Sequence, residues 1–417
     1  MKGKPLSSLF HYGWVTVIGA FLAYTCWGIS RHLFPYILPN MEAELNLAHE
    51  PMGNIASVYF IAYTIMSFVW GTIADKIGPR RCMLIGQVSI LVGLTGMGFM
   101  SSLTAGFLFY FLCGAGAAGQ SVPIVRLLSD WFGGARRGTA IGIAMAGGGT
   151  VTVVLGVAVP IILASYSWRW NWWIGAAFVL IVAVVCWFLL VNTPSEKGLT
   201  PKGANREEPS QSWRQDETGN PGQIAPKVTI RHILKRGTVW NLGGIYFIHG
   251  ITYSIFMTFA IAYLKEIGWG VKAAAGVLAT WGALQIAGPI IWGIAADRLT
   301  KKYLLAITLA LGVMGLFIFL GGSTVGGYVG AAIIGFGTVG IPTIMAAAMA
   351  DYYEPTVIGT TFGLITLIFG IGAIIGPTIG GALGDATGTL GTAILLSLGA
   401  LILAFVLTLA LKRPPKR

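Results

Sequence analysis

An all-α membrane protein of twelve transmembrane helices in two pseudo-symmetric six-helix bundles is the fold class this sequence predicts, on three observations. Hydrophobic residues make up 55% of the 417 while charged ones make up only 10%, against about a quarter in soluble proteins. Apolar runs of about 20 residues, the length a bilayer requires, recur along the whole chain. Two sequence patterns also reappear at one shared offset between the halves.

The spans read, in order, as 13–38, 52–74, 82–101, 104–131, 139–165, 170–192, 239–264, 272–296, 303–322, 325–350, 357–384 and 389–411. The first is too long for a signal peptide, and no small-residue cleavage site follows it. Cys26, Cys82, Cys113 and Cys186 lie in or beside these runs without metal or redox spacing, so they read as small packing residues. The net charge of +12 is one-sided. Lys76, Arg80, Arg81, Arg136, Arg137, Arg298, Lys301 and Lys302 share a side with the basic termini. The opposite loops hold Arg169, Lys265 and Lys272 against Glu42, Glu44, Glu50, Glu266 and Asp385. By the positive-inside rule both termini are expected in the cytoplasm. Basicity here reads as topology, not as a nucleic-acid surface.

Residues 193–238 break the apolar pattern with Pro, Glu, Lys, Gln and Asn. They read as a cytoplasmic linker and set the expected domains at 1–192, 193–238 and 239–417. Sliding one half over the other by 222 residues places GTIADKIGPRR on GIAADRLTKKY, with Gly71 on Gly293 and Asp75 on Asp297. The same offset places Tyr24 on Tyr246, Trp27 on His249, Gly28 on Gly250, Arg31 on Tyr253 and Phe34 on Phe256. Parallel six-helix repeats with a substrate site between them at mid-membrane are an established transporter plan.

No Asp or Glu lies inside a span away from its ends, yet Arg31 and Arg126 do. An arginine in hydrocarbon costs roughly 3 kcal/mol on insertion scales and marks a substrate or ion path. It cannot escape by losing its proton, so the counter-charge is expected from outside, as a small anion. Residues three, four and seven apart share a helix face. Around Arg31 that face carries Tyr24, Trp27, Gly28 and Phe34, and its partner in the seventh span carries Tyr246, His249, Gly250, Tyr253 and Phe256. Tyr59 and Tyr63, which align with Trp281 and Gln285, are candidate walls. The alternative for Arg31 is a snorkelling arginine in an aromatic belt; for Arg126 it is a pair with Asp130 at i+4 or a cytoplasmic gate. His249 is the one titratable side chain of suitable range on the presumed cavity face, either as a proton carrier or as a neutral hydrogen-bonding group. His32 points elsewhere.

Gly71, Asp75, Lys76, Gly78, Arg80 and Arg81 meet the pattern G-x-x-x-D-[RK]-x-G-x-[RK]-[RK], and in this the chain resembles the major facilitator superfamily over nearly its whole length. The resemblance implies a conformational latch built from Gly71, Asp75, Arg80, Arg81, Asp297 and Arg136, with the aspartate meeting a helix terminus or an arginine. Arg31-x-x-Phe34-x-x-x-x-Pro39 is similar to the first helix of the organophosphate antiporters and anion:cation symporters, where an arginine binds the anionic group. The position of the antiporters' second arginine is Tyr253 here, which turns the expectation towards a monoanion or weakly charged dianion. Arg126, Trp131 and Phe132 resemble the symporters' fourth helix, although the embedded carboxylates of that family are missing. The monocarboxylate carriers' arginine in the eighth helix is also missing.

There is no nucleotide-binding loop, no metal-ligating cluster and no nucleophile–base pair, so neither a cofactor nor catalysis is expected. The expected activity is secondary transport of small organic anions, carboxylates first, by proton-coupled symport in a monomer of the inner membrane. Anion exchange, an exporter of amphipathic compounds and a transporter-like sensor are the alternatives.

Overall fold

The helices run α1 (Gly13–Leu45), α2 (His49–Ile77), α3 (Pro79–Gly98), α4 (Leu103–Trp131), α5 (Gly134–Ser165) and α6 (Arg169–Leu189), then α7 (Gly237–Glu266), α8 (Val271–Arg298), α9 (Lys301–Leu320), α10 (Thr324–Tyr352), α11 (Ile358–Thr387) and α12 (Gly391–Ala410). The computed structural model describes residues 11–202, 236–353 and 358–411. Among these, twelve helices are long and apolar enough to cross a membrane. The basic residues at both termini, linker residues 203–235 and the Asp297 side chain lie outside the described residues.

α1 extends past the expected end at residue 38 and runs through Pro35 and Pro39. Each proline removes one helical donor, but Leu33, Phe34, Tyr36, Ile37 and Leu38 are all buried around them and hold the turns in place. The helix stops where Asn46 takes a left-handed φ of 51° and Leu47 N donates to Glu42 O at 3.1 Å, a common helix-ending geometry. The start of the expected linker folds back on the first half. Lys202 N donates to Trp131 O at 2.9 Å and Gly133 N to Lys202 O at 3.1 Å. Thr193 and Glu196 form a capping box over a single 3-10 turn at Pro194–Lys197.

α3, α6, α9 and α12 carry rows of exposed apolar side chains, such as Leu180, Ile181, Val184 and Trp187 on α6 and Leu395, Ile402, Leu403 and Val406 on α12. Such rows suit lipid. The two halves meet through α2 with α11, α5 with α8 and α1 with α7. Small residues make these meetings close. A Cβ on Gly53 would collide with the Pro377 carbonyl, one on Gly381 would lie 2.5 Å from His49 O, and one on Gly282 would lie 2.5 Å from Thr152 Cβ.

A polar seam joins the halves at the end away from the described termini. The Asp385 carboxylate of α11 accepts from His49 N at 2.9 Å and Glu50 N at 2.8 Å. It thereby caps the first turn of α2, whose own N-cap, Ala48, has no side chain to do so. Thr378 hydroxyl donates to Asn54 Oδ1 at 2.8 Å and sits 3.0 Å from Ser57 Oγ. This end is sealed.

Candidate functional site

Between the halves lies a cavity of about 690 Å³, within the usual range for small-molecule sites. It reaches from Arg31 and Tyr59 towards the end that carries the described termini, where Phe68, Gly142, Ile290 and Gly363 line it. A Cβ added to Gly142 or Gly363 would meet nothing within 4 Å. The cavity therefore opens at that end and closes at the sealed one.

Tyr24, Trp27, Arg31, Tyr59, Tyr63, His249, Tyr253 and Gln285 all line this cavity. α1, with Tyr24, Trp27 and Arg31, faces α7, with His249 and Tyr253, as the shared offset implies, and α2 and α8 supply the side walls. Arg31 is 2% exposed, and neither Nη1 nor Nη2 has a hydrogen-bond partner among the described residues. Its guanidinium carbon lies 4.1 Å from the Phe60 ring centroid, 5.5 Å from Tyr59 and 5.7 Å from Tyr253. Aromatic faces compensate a cation electrostatically without occupying its N–H donors. A carboxylate partner would occupy them. Among the described lining residues there is no Asp, Glu or Lys, so the fork stays available to an incoming anion.

The hydrogen-bonding groups around Arg31 can all donate, and the phenols and the imidazole among them can also accept. Trp27 Nε1 and His249 Nδ1 are buried without a partner. Tyr63 hydroxyl is 2.9 Å from Ser121 Oγ, and Tyr59 hydroxyl is 3.4 Å from Ser30 Oγ. His249, 3% exposed, stacks on Tyr246 at 5.9 Å between centroids and lies 6.1 Å from Tyr253. His32 turns away from the cavity: its Nδ1 is 2.7 Å from Thr152 Oγ1, and its ring meets Trp27 and Trp281 edge-on. Among the described residues no His, Cys, Asp and Glu group could hold a metal ion.

Arg126 is not among the lining residues. It makes an ion pair with Asp75, with side chains 41% and 72% exposed. The partner is Asp75 of α2, across the helix pair, and not only a neighbour in sequence such as Asp130. Arg80 N donates to Asn192 Oδ1 at 2.9 Å and its Nη2 to Trp187 O at 2.5 Å, while Arg81 and Arg136 are exposed. Gly78 has φ 84°, and a Cβ there would lie 2.9 Å from Asn192 Oδ1, so a glycine is required at this turn. Gly71 has room for a side chain, with Val122 Cγ1 3.9 Å away.

Phe60 and Phe369 were not legible as site residues. Phe60 is i−3 to Tyr63 and shares its face. It has no polar or titratable group to single it out, yet it makes the nearest ring contact to the guanidinium. Phe369 of α11 stacks on Tyr246 at 4.7 Å and has no polar neighbour in sequence to single it out.

The family model of the Major Facilitator Superfamily matches residues 16–288 and 242–417. The hexuronate transporter of Bacillus subtilis is 24% identical over 420 residues, 95% of this chain and 94% of that protein. A probable sulfoacetate transporter of Cupriavidus necator is 23% identical and covers 92% and 88% of the two chains. The glycerol-3-phosphate transporter of Bacillus subtilis is 24% identical over 68% of this chain and 65% of that one. Among solved structures, the nucleoside transporter NupG superimposes with a TM-score of 0.76 at 15% identity, covering 97% of this chain and all of that one. A bacterial homologue of the lysosomal transporter Spinster gives 0.72 at 17% identity, covering 98% and 97%.

Proposed function

The chain belongs to the Major Facilitator Superfamily, and on that premise we propose that it carries small organic anions, carboxylates first among them, by alternating access of its two halves. It is a multi-pass membrane transporter and not an enzyme. The observation that carries the substrate reading is Arg31, a buried guanidinium with two free nitrogens at the closed end of a cavity with no carboxylate among its described lining residues. A planar fork suits a carboxylate. One cation neutralises a monoanion, whereas a doubly charged phosphate ester would leave net charge in a low-dielectric site. The relatives named above act on a hexuronate, a sulfoacetate and a phosphate ester, all of them anions.

With the basic loops in the cytoplasm, the open end faces inward and the Asp385 seam closes the outer side of an inner-membrane monomer. Coupling to protons runs through His249, the one imidazole among the described lining residues, which lies beside Tyr253. In proteoliposomes, carboxylate uptake is expected to rise as the outer pH falls through neutrality, and His249→Gln is expected to flatten that rise. A pH profile identical to wild type would remove His249 from the coupling. Anion exchange is the second reading, and the unpaired Arg31 favours it: an occluded cavity with no anion would trap a bare cation, which slows the empty return.

A further inference from the structure

The anion's charge is met by one residue, but its body meets rings, and this sets what the body can be. On the first half, Trp27 stacks on Tyr24 at 4.7 Å and 19°. On the second, Tyr246 stacks on Phe369 at 4.7 Å and 30°, and on His249 at 8°. Among the described lining residues Gln285 is the one carboxamide and there is no carboxylate; the other side-chain acceptors are the hydroxyls of Thr64, Ser67, Thr338, Thr343 and Thr366, the phenols and His249. A polyhydroxylated body loses roughly tenfold in binding for each buried hydroxyl that reaches none of these. Flat rings on both walls instead reward a flat π-faced body through offset stacking and dispersion.

We infer that the substrate is a monocarboxylate with a planar, unsaturated body, aryl or conjugated, its carboxylate on Arg31 and its ring plane between the aromatic walls of the two halves. This rests on Arg31 being the anion clamp of the proposed function. It separates this cavity from one built for a sugar acid. Closure of the halves would bring the ring walls onto the two faces of the bound acid, so the same stacking that selects the body would stabilise the occluded state.

Calorimetric titration of the purified full-length protein with three probes tests this: benzoate, cyclohexanecarboxylate, which is similar in size but saturated and puckered, and glucuronate. Benzoate is expected to bind about tenfold more tightly than cyclohexanecarboxylate, since each stacked ring adds a few-fold beyond area burial. Glucuronate is expected to be at least a hundredfold weaker than benzoate, as roughly two unpaired hydroxyls suffice for that. Phe369→Leu should narrow the gap between benzoate and cyclohexanecarboxylate without abolishing either. Equal affinity for those two acids, or glucuronate binding as tightly as benzoate, overturns the inference. If glucuronate wins and Arg31→Gln abolishes its binding, the anion site stands and only the body's chemistry is wrong. If benzoate binds equally well to Arg31→Gln, the clamp itself fails. Absence of binding by all three probes overturns the inference as well.

Discussion

Arg31→Gln is expected to abolish anion binding and, at the same time, to raise the melting temperature of the empty protein. The guanidinium is buried, has two unpartnered nitrogens and has no carboxylate among the described lining residues around it. Burial of an uncompensated charge is strongly unfavourable, and contacts with aromatic faces return only about 2 kcal/mol when desolvated. Removing the charge relieves that burden, so the fold gains. Binding loses much more. Truncating one member of a buried, hydrogen-bonded charge pair costs about 2–5 kcal/mol, which is roughly thirty- to several-thousand-fold in affinity. Arg31→Lys keeps the charge, loses the fork, and should lie between. Thermal unfolding without ligand, paired with carboxylate titration, reads both effects. A variant that melts lower and still binds would make Arg31 a structural residue.

Gly53→Val is expected to hold the sealed end open and stop transport. The added Cβ would meet the Pro377 carbonyl, a backbone atom that cannot rotate away. Overpacking costs typically 1–3 kcal/mol even where side chains can adjust. About 3 kcal/mol against the sealed state changes the ratio of the two states by more than a hundredfold. The neighbouring seam of Asn54, Ser57, Thr378 and Asp385 would part together with α2 and α11. A cysteine introduced at Ser57 then becomes reactive to an impermeant maleimide from outside. Unchanged labelling would show that this glycine does not control the seal.

The helices, their number and the two-fold repeat were legible because each apolar run must be about as long as a bilayer is thick. One offset aligned Arg31 with Tyr253, and the cavity contains both. Arg31 stood out because a charge in a span is chemically conspicuous. Phe60 and Phe369 did not, because an apolar residue facing lipid and one facing a cavity read alike until packing decides between them. The end of α1 was misjudged at its prolines, whose effect on the helix depends on buried neighbours. The partner of Arg126 was hidden for a related reason: Asp130 is near in sequence, but Asp75 is brought to it by the α2–α4 contact.

Flux through the purified protein is the most direct measurement. Liposomes carrying wild type should accumulate labelled benzoate saturably, and Arg31→Gln liposomes should not, at equal incorporation of folded protein. Binding of benzoate without flux would contradict transport and favour a sensor. Flux of equal rate in Arg31→Gln would contradict the site, since the anion would then be crossing without the one cation among the described lining residues.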